Sequence, residues 1–364
     1  MRRRIRELGV SIGRLDTGER NSIGDVPSVL VGHETLIHGE GELSPGKGPV
    51  RTGVTVILPH SENVYKEKVR AGVHVQNGAG ELTGALQIME WGILETPIAL
   101  TSTLNVGLVH DAIVEFMLSE NQDIGNEGEV VLPVVGECDD SYLNDVRGRH
   151  VRREHVFEAI KNVQTNVSEG SVGAGTGMSA LGFKAGIGTS SRRTPSSSGG
   201  YTVGVLVSAN FDGDLCVDGV PVGRELRRWE GGPRNGRSIV TVIATDAPLT
   251  SSQLTRVAAR VPLALGRLGS TSANSSGDTS IAFSTAERID TQLKPTIPVA
   301  QGVSLRMLDE FFEATIEATE EAVLNSIFMS DTMVGRDNHV SPGLPVDAAL
   351  EIMRRHGRTA GRPD

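Results

Sequence analysis

The stretch N-G-R-S-I-V-T-V-I-A-T-D-A-P-L, from Asn235 to Leu249, holds a polar turn, a lone serine, an apolar run and a second turn. Ile239 to Ala244 is rich in β-branched residues, the pattern of a strand covered on both faces. Ser238 therefore stands where a loop rich in glycine and arginine (Gly231, Gly232, Pro233, Gly236, Arg237) enters a core strand. Two readings follow. In one, Ser238 is an ordinary turn residue opening a strand. In the other, the chain is cut before Ser238, and the new α-amine, with a reference pKa of about 7.7 to 8, serves as base for its own hydroxyl. The stretch by itself leaves both open.

The chain has 364 residues, 38% hydrophobic and 22% charged, enough for one large α/β domain or two modest ones with a sizeable core. Its formal charge of −10 argues against nucleic acid as the main partner, because phosphate binding needs clustered cations. Arginines do cluster at Arg2 to Arg4, between Arg224 and Arg237 and at the C-terminus, without interleaved aromatics for base stacking. No apolar stretch follows the basic start and none reaches membrane length, so neither a signal peptide nor a membrane span is expected. Cys138 and Cys216, too few and too far apart for a redox or zinc motif, suit a reducing cytoplasm and are expected to be buried. The histidines never fall at metal-ligand spacing, so neither metal nor cofactor is expected.

Outward from Ser238, short strand signals at Ser28 to Gly32 and Gly53 to Leu58 flank a glycine- and proline-rich loop. A tight turn is expected at Asn77-Gly78, then a short helix over Leu82 to Glu90. A strand begins at Thr96-Pro97, and a helix follows with Asn105 and Gly107 at its entrance and Ala112, Ile113, Phe116 and Met117 on one face. Val130 to Val135 reads as a strand and Glu154 to Val163 as a helix. Val172 to Arg192 is dense in glycine but lacks an intact phosphate-loop or dinucleotide motif, so close approach of backbone to substrate is the reading for Gly175 and Gly177. Tyr201 to Ala209 is a strand ending at Asn210. After the Ser238 strand come a helix over Gln253 to Leu268, capped by Ser251 or Ser252 and kinked at Pro262, and a strand at Ile281 to Ser284. A long helix then carries Leu308, Phe312, Ile316, Val323 and Ile327, with Glu313, Glu317, Glu320 and Glu321 expected on a solvated outer face. Helices and strands are mixed, in two halves meeting at the arginine-rich loop, without the alternation of a doubly wound fold.

Six segments taken in order resemble the DmpA-like aminopeptidases, the L-aminopeptidase/D-esterase and β-peptidyl aminopeptidase group, peptidase family S58. They are R-I-R-E-L-G near the start, Val50 to His60, Glu95 to Gly107, G-A-G-T-G-M with F-K-A-G-I-G-T-S-S-R, the Ser238 strand, and S-S-G-D-T-S-I-A-F-S-T. The resemblance implies a four-layer α-β-β-α sandwich over the whole chain. It also implies a precursor that cuts itself into a large piece, 1–237, and a small one, 238–364, which stay together in a homotetramer. Ser238 would be the nucleophile, Ser276 and Asp278 its serine and acid partners, Asn210 the oxyanion donor and Tyr142 a pocket residue. Asn77, Asn105, Gly175 and Gly177 are candidates for substrate contact. Taken singly, each of these residues has an ordinary structural reading as a turn, a strand end or a core edge.

Arg237 stands where relatives often have glycine, which tolerates the strained backbone that lets a serine attack the preceding carbonyl. Arginine there is a departure that bears on how fast the chain cuts itself, or whether it does. Asp278 is one methylene shorter than the glutamate of some relatives. The expected activity is release of an N-terminal residue from short peptides, amides or esters, D- or β-residues among them. The alternatives are acyl transfer of the ornithine acetyltransferase type, whose nucleophile is threonine, and an uncut scaffold that binds without catalysis.

Overall fold

Strand pairing sorts the β-branched runs into two stacked sheets. The computed structural model describes residues 2–226, 237–290 and 302–358, with Arg237 as backbone alone. The arginine-rich loop before Arg237, expected to be exposed, lies outside the described residues. In chain order the strands are β1 (Leu30–His38), β2 (Val50–Leu58), β3 (Lys68–Gly78), β4 (Ile93–Leu94), β5 (Ile98–Ser102), β6 (Val134–Cys138), β7 (Ser179–Ala180), β8 (Phe183–Lys184), β9 (Ile187–Arg193), β10 (Thr202–Phe211), β11 (Arg237–Thr245), β12 (Gly277–Ile289), β13 (Met333–Val334) and β14 (Val340–Ser341). The helices are α1 (Ala85–Trp91), α2 (Val106–Glu120), α3 (Arg153–Lys161), α4 (Val222–Glu225), α5 (Ser251–Ala258), α6 (Val261–Arg267), α7 (Leu308–Phe328) and α8 (Val346–Arg355).

The smaller sheet runs β1-β2-β5-β6 and the larger β4-β3-β12-β11-β10-β9. Neighbours are antiparallel except β5 with β6 and β11 with β12. Parallel neighbours require a crossover, supplied by α2 between β5 and β6 and by α5 and α6 between β11 and β12. Helices α2 and α3 cover the outer face of the small sheet, and α5 and α7 that of the large one.

Period-two alternation divides the side chains among three apolar layers. Val54 and Val56 pack with Ile113 and Val156 under the outer helices. Ile57 and Leu100 meet Leu206, Val240, Val242 and Phe283 between the sheets. Ile239 and Ile243 pack with Leu254, Phe311 and Leu324 beneath the other helices. The order α-β-β-α is the one expected from the sequence.

Several expectations need correction. The chain does not fold as two halves meeting at the arginine-rich loop: β11 lies in the middle of a sheet to which residues on both sides of that loop contribute. Asn77-Gly78 is no tight turn, because β3 runs on beside β12 through Gly78 with a register shift at Asp278/Thr279. The sixth strand begins only at Val134, after Pro133, and Val130 is 67% exposed. Thr250, not Ser251 or Ser252, caps α5 by accepting from the Gln253 N–H, and Pro262 sits in the first turn of a separate helix where its missing N–H costs nothing. Of the two thiols, Cys138 is buried and Cys216 half-buried.

The largest correction concerns α7, whose acids are not a solvated face. Glu317 and Glu321 are 2% and 0% exposed and Glu320 is 5% exposed. Arg192 of β9, itself 0% exposed, donates through Nε to Glu317 Oε2 at 3.1 Å and through Nη2 to Glu321 Oε2 at 2.7 Å. Arg6 bridges to the same Glu321 oxygen at 2.7 Å, and Asn21 donates to its other oxygen at 2.5 Å. Glu317 also accepts the Arg14 and Leu15 backbone N–H groups. Burial works against the Glu321 charge, but the Arg6 and Arg192 guanidiniums and Asn21 hold its carboxyl below the ordinary range. Of the four glutamates only Glu313 stays partly in solvent, paired with exposed Arg14. Removing one member of a buried network strands the others, so Glu321→Ala should cost about 3 to 5 kcal/mol. The midpoint of urea unfolding checks this, and a shift no larger than that of Glu313→Ala would contradict it.

Candidate active site

Register brings the predicted residues to one end of the large sheet. Ser238 lies opposite Asn210 of antiparallel β10 and beside Gly277 of parallel β12. Two residues on, Val240 belongs to the layer between the sheets, and alternation sets Ser238 on that same face. Ser238 is 4% exposed and lines a cleft of about 410 Å³. The loop Ala79 to Glu81 after β3, Thr103 and Leu104 after β5, and Glu137, Asp139 and Ser141 at the end of β6 form its walls, with Val146 and Ser275. A side chain at 277 would place its Cβ 2.9 Å from the Ala79 carbonyl oxygen and the Gly80 Cα, so Gly277 is what lets that loop close over the strand end.

Ser276 and Asp278, 4% and 3% exposed, flank Gly277. The Ser276 hydroxyl donates to Asp278 Oδ1 at 2.5 Å. Asp278 Oδ2 accepts from Asn77 Nδ2 at 2.9 Å, and Asn77 also donates to the Ser272 carbonyl at 3.1 Å. Asn77 thus clamps the acid, and it is the following loop that meets the cleft. Asn210 is held at both ends of its amide: Oδ1 accepts the Ser179 N–H at 3.1 Å and Nδ2 donates to the Asp139 carbonyl at 2.8 Å.

Among the predicted residues Ser238 is the one that lines this cleft; Asn210, Ser276, Asp278 and Asn77 stand beside it at the strand ends, and the others are turned elsewhere. Tyr142 turns outward, its ring stacked on His339 with centroids 4.7 Å apart and its hydroxyl 3.4 Å from the Val340 carbonyl. Asn105 is 2% exposed and donates to the Val151 carbonyl at 2.6 Å, tying the start of α2 to the chain before α3. Gly175 packs against the 186–187 backbone, and Gly177 against the Arg51 carbonyl and the Asp140 side chain. These glycines serve close packing inside the fold, where a Cβ has no room.

Sequence reasoning missed the acidic wall. Glu137 accepts from the Thr103 hydroxyl and from the Glu81 N–H at 3.1 Å. Burial raises its pKa, those donors oppose the rise, and the Asp139 and Glu81 charges add to it. The signal was the run of acids at 137, 139 and 140 directly after a strand. Asp140, fully buried, is pushed up to about 6 by burial, against hydrogen bonds from Thr52, Asn144 and Ser102. Among the described residues no group of three His, Cys, Asp or Glu side chains could hold a metal ion.

Residues 21–341 match the sequence profile described as peptidase family S58. The chain belongs to peptidase family S58. It is 42% identical over 368 residues to the β-peptidyl aminopeptidase BapA of Sphingosinicella xenopeptidilytica, covering 96% of this chain and 91% of that one. The PH0078 protein of Pyrococcus horikoshii OT3 superposes with a TM-score of 0.93 at 52% identity, covering 98% and 100% of the two chains. The L-aminopeptidase D-Ala-esterase/amidase of Ochrobactrum anthropi, described as a prototype of the serine aminopeptidases and a variant of the Ntn hydrolase fold, does so at 0.90 and 39%, covering 98% and 99%. This S58 chain shares that fold and is a hydrolase of the aminopeptidase class.

Behind Gly175 the fold buries a lysine whose partners among the described residues are carbonyls. Lys184 Nζ donates to the carbonyls of Met178 at 2.7 Å, Ala185 at 2.5 Å and Gly175 at 3.3 Å, and burial lowers its pKa to about 7. The unfolded chain binds this proton up to about pH 10.4, so folding gains stability as pH rises from 7 towards 10. Lys184→Met should remove that gain. Thermal midpoints at pH 7 and pH 9.5 test it: wild type should rise relative to the variant between the two, and a parallel response would refute the assignment.

Proposed function

We propose that the chain cuts itself before Ser238 and then acts as an N-terminal-nucleophile aminopeptidase on short peptides, amides or esters with a free amino terminus. The observation that carries this reading is a cleft with a serine at the head of a core strand and a carboxylate wall facing it. The names of the relatives, a β-peptidyl aminopeptidase and an L-aminopeptidase D-Ala-esterase/amidase, support that substrate class, D- and β-residues included.

In this reading the freed Ser238 amine takes the proton of its own hydroxyl, and Oγ attacks the scissile carbonyl. The developing oxyanion is met by the Asn210 amide, a donor preorganised by its bonds to Ser179 and Asp139. Ser276, bonded to Asp278, steadies the nucleophile, and Asn77 holds the acid. The protonated amine of Ser238 returns its proton to the leaving group, and water releases the acyl residue. Glu137 is suited to the substrate's ammonium, and Leu104 and Val146 offer an apolar surface to its side chain. The low cysteine count favours a cytoplasmic setting, and the family resemblance supports a tetramer of processed protomers.

An intact-mass spectrum of the purified protein tests the first step. Two masses, for 1–237 and 238–364, should appear and be absent from Ser238→Ala; a single uncut mass in both would transfer the weight to a binding scaffold. For the second step, Asn210→Ala should lower kcat about 10²- to 10³-fold. Activity should fall below neutral pH as the Ser238 amine protonates, and a flat profile down to pH 5 would overturn its role as base.

A further inference from the structure

Asp140 is the most enclosed acid next to the cleft, yet it does not line it. Among the described residues no cation bonds its carboxylate. Thr52 of β2 donates to Oδ2 at 2.5 Å, while Ser102 at the end of β5 and Asn144 donate to Oδ1 at 2.8 and 2.9 Å. Its own carbonyl accepts the Leu143 and Asn144 N–H groups, both at 3.1 Å. Space for this side chain exists because residue 177 is glycine: a Cβ there would fall 2.7 Å from the Asp140 Cβ. The residue is therefore pinned from three elements, and with it the peptide that joins it to Asp139.

The carbonyl of that peptide is the one that accepts Asn210 Nδ2. An amide nitrogen has two hydrogens. With Oδ1 fixed by Ser179 and one hydrogen fixed by Asp139, the plane of the Asn210 amide is set, and so is the direction of its second hydrogen. We infer that Asp140 is a positioning residue for the reaction: it holds the Asp139–Asp140 peptide so that Asn210 presents its remaining N–H to the oxyanion formed at Ser238. This rests on the reaction proposed above. Asp140 touches neither substrate nor nucleophile and acts through Asn210. Gly177, an apparent substrate contact in the sequence, acts one step further back by making room for Asp140.

The test is a double-mutant cycle on full-length protein whose processing has been checked by mass, with an alanine p-nitroanilide as probe. Asp140→Ala should lower kcat about 10- to 100-fold with KM within about twofold, as expected for a misplaced catalytic group. Combined with Asn210→Ala it should add little, the double variant staying within about threefold of Asn210→Ala alone. Asp140→Asn should recover most of the loss, since its oxygen can still accept from Ser102 and Asn144 while its NH2 donates to the Thr52 hydroxyl. Losses that multiply, a KM that rises as much as kcat falls, or an asparagine no better than alanine would each overturn the inference. If Asp140→Ala fails to fold or mature, Ser102→Ala removes one of the donors that pin the same carboxylate and enters the same cycle. A second measurement needs no turnover: in the Ser238→Ala chain, the side-chain amide signal of Asn210, assigned by its loss in Asn210→Ala, should shift in Asp140→Ala and hold in Asp140→Asn. An unmoved signal overturns the positioning role, whereas a wild type that neither matures nor hydrolyses overturns only the reaction.

Discussion

Arg192 lies wholly out of solvent with two carboxylates of α7 against it, and the large sheet depends on that pairing to keep its helix layer in place. Desolvating three charges is expensive, and the cost is offset only because nearly every lone pair and N–H is met: Glu321 by Arg6, Arg192 and Asn21, Glu317 by Arg192 and two backbone amides. An apolar substitute would fill the volume as well. The charges add direction, since only one axial position of α7 satisfies Arg192 and the N-terminal segment together. With α7 so indexed against β9 and β10, the outer surface of the sheet is closed, and the opposite ends of its strands are left to build the cleft.

The cleft is assembled from strand ends, with few long loops. Ser238, Asn210 and Gly277 come to one level because β10, β11 and β12 are in register, and β6 of the other sheet supplies the facing wall. Side chains placed this way inherit the rigidity of the sheets. Ser276, Asp278, Asn77 and Asn210 beside them are bonded to one another or to backbone, as most buried polar groups are.

What could be read in the sequence was what period and punctuation encode. The unbroken β-branched run after Ser238 announced a doubly covered strand, and Tyr201 to Ala209 read as a strand ending at Asn210, whose place in the site came from the resemblance alone. The resemblance supplied the layer order. What escaped was whatever depends on distant partners. A row of glutamates on α7 has the pattern of a wet face, and only the arrival of Arg192 and Arg6 from far along the chain makes it a buried one. Tyr142 and Asp140 are neighbours in one turn, and nothing local says which faces inward; Thr52, Ser102 and Gly177 decide it. Asn77-Gly78 has the composition of a turn, but the pairing energy of β12 keeps it extended.

The place of β11 in the larger sheet bears on how such a molecule passes through its own history. Its hydrogen bonds run on one side to β10, encoded before Ser238, and on the other to β12, encoded after it. A break at the head of β11 frees two ends and no strand. Neither piece could leave without splitting the sheet down its centre, so pieces from different molecules have no route by which to trade places. Each matured protomer would remain the descendant of a single translated chain, and two alleles made in one cell would yield no protomer built from pieces of both.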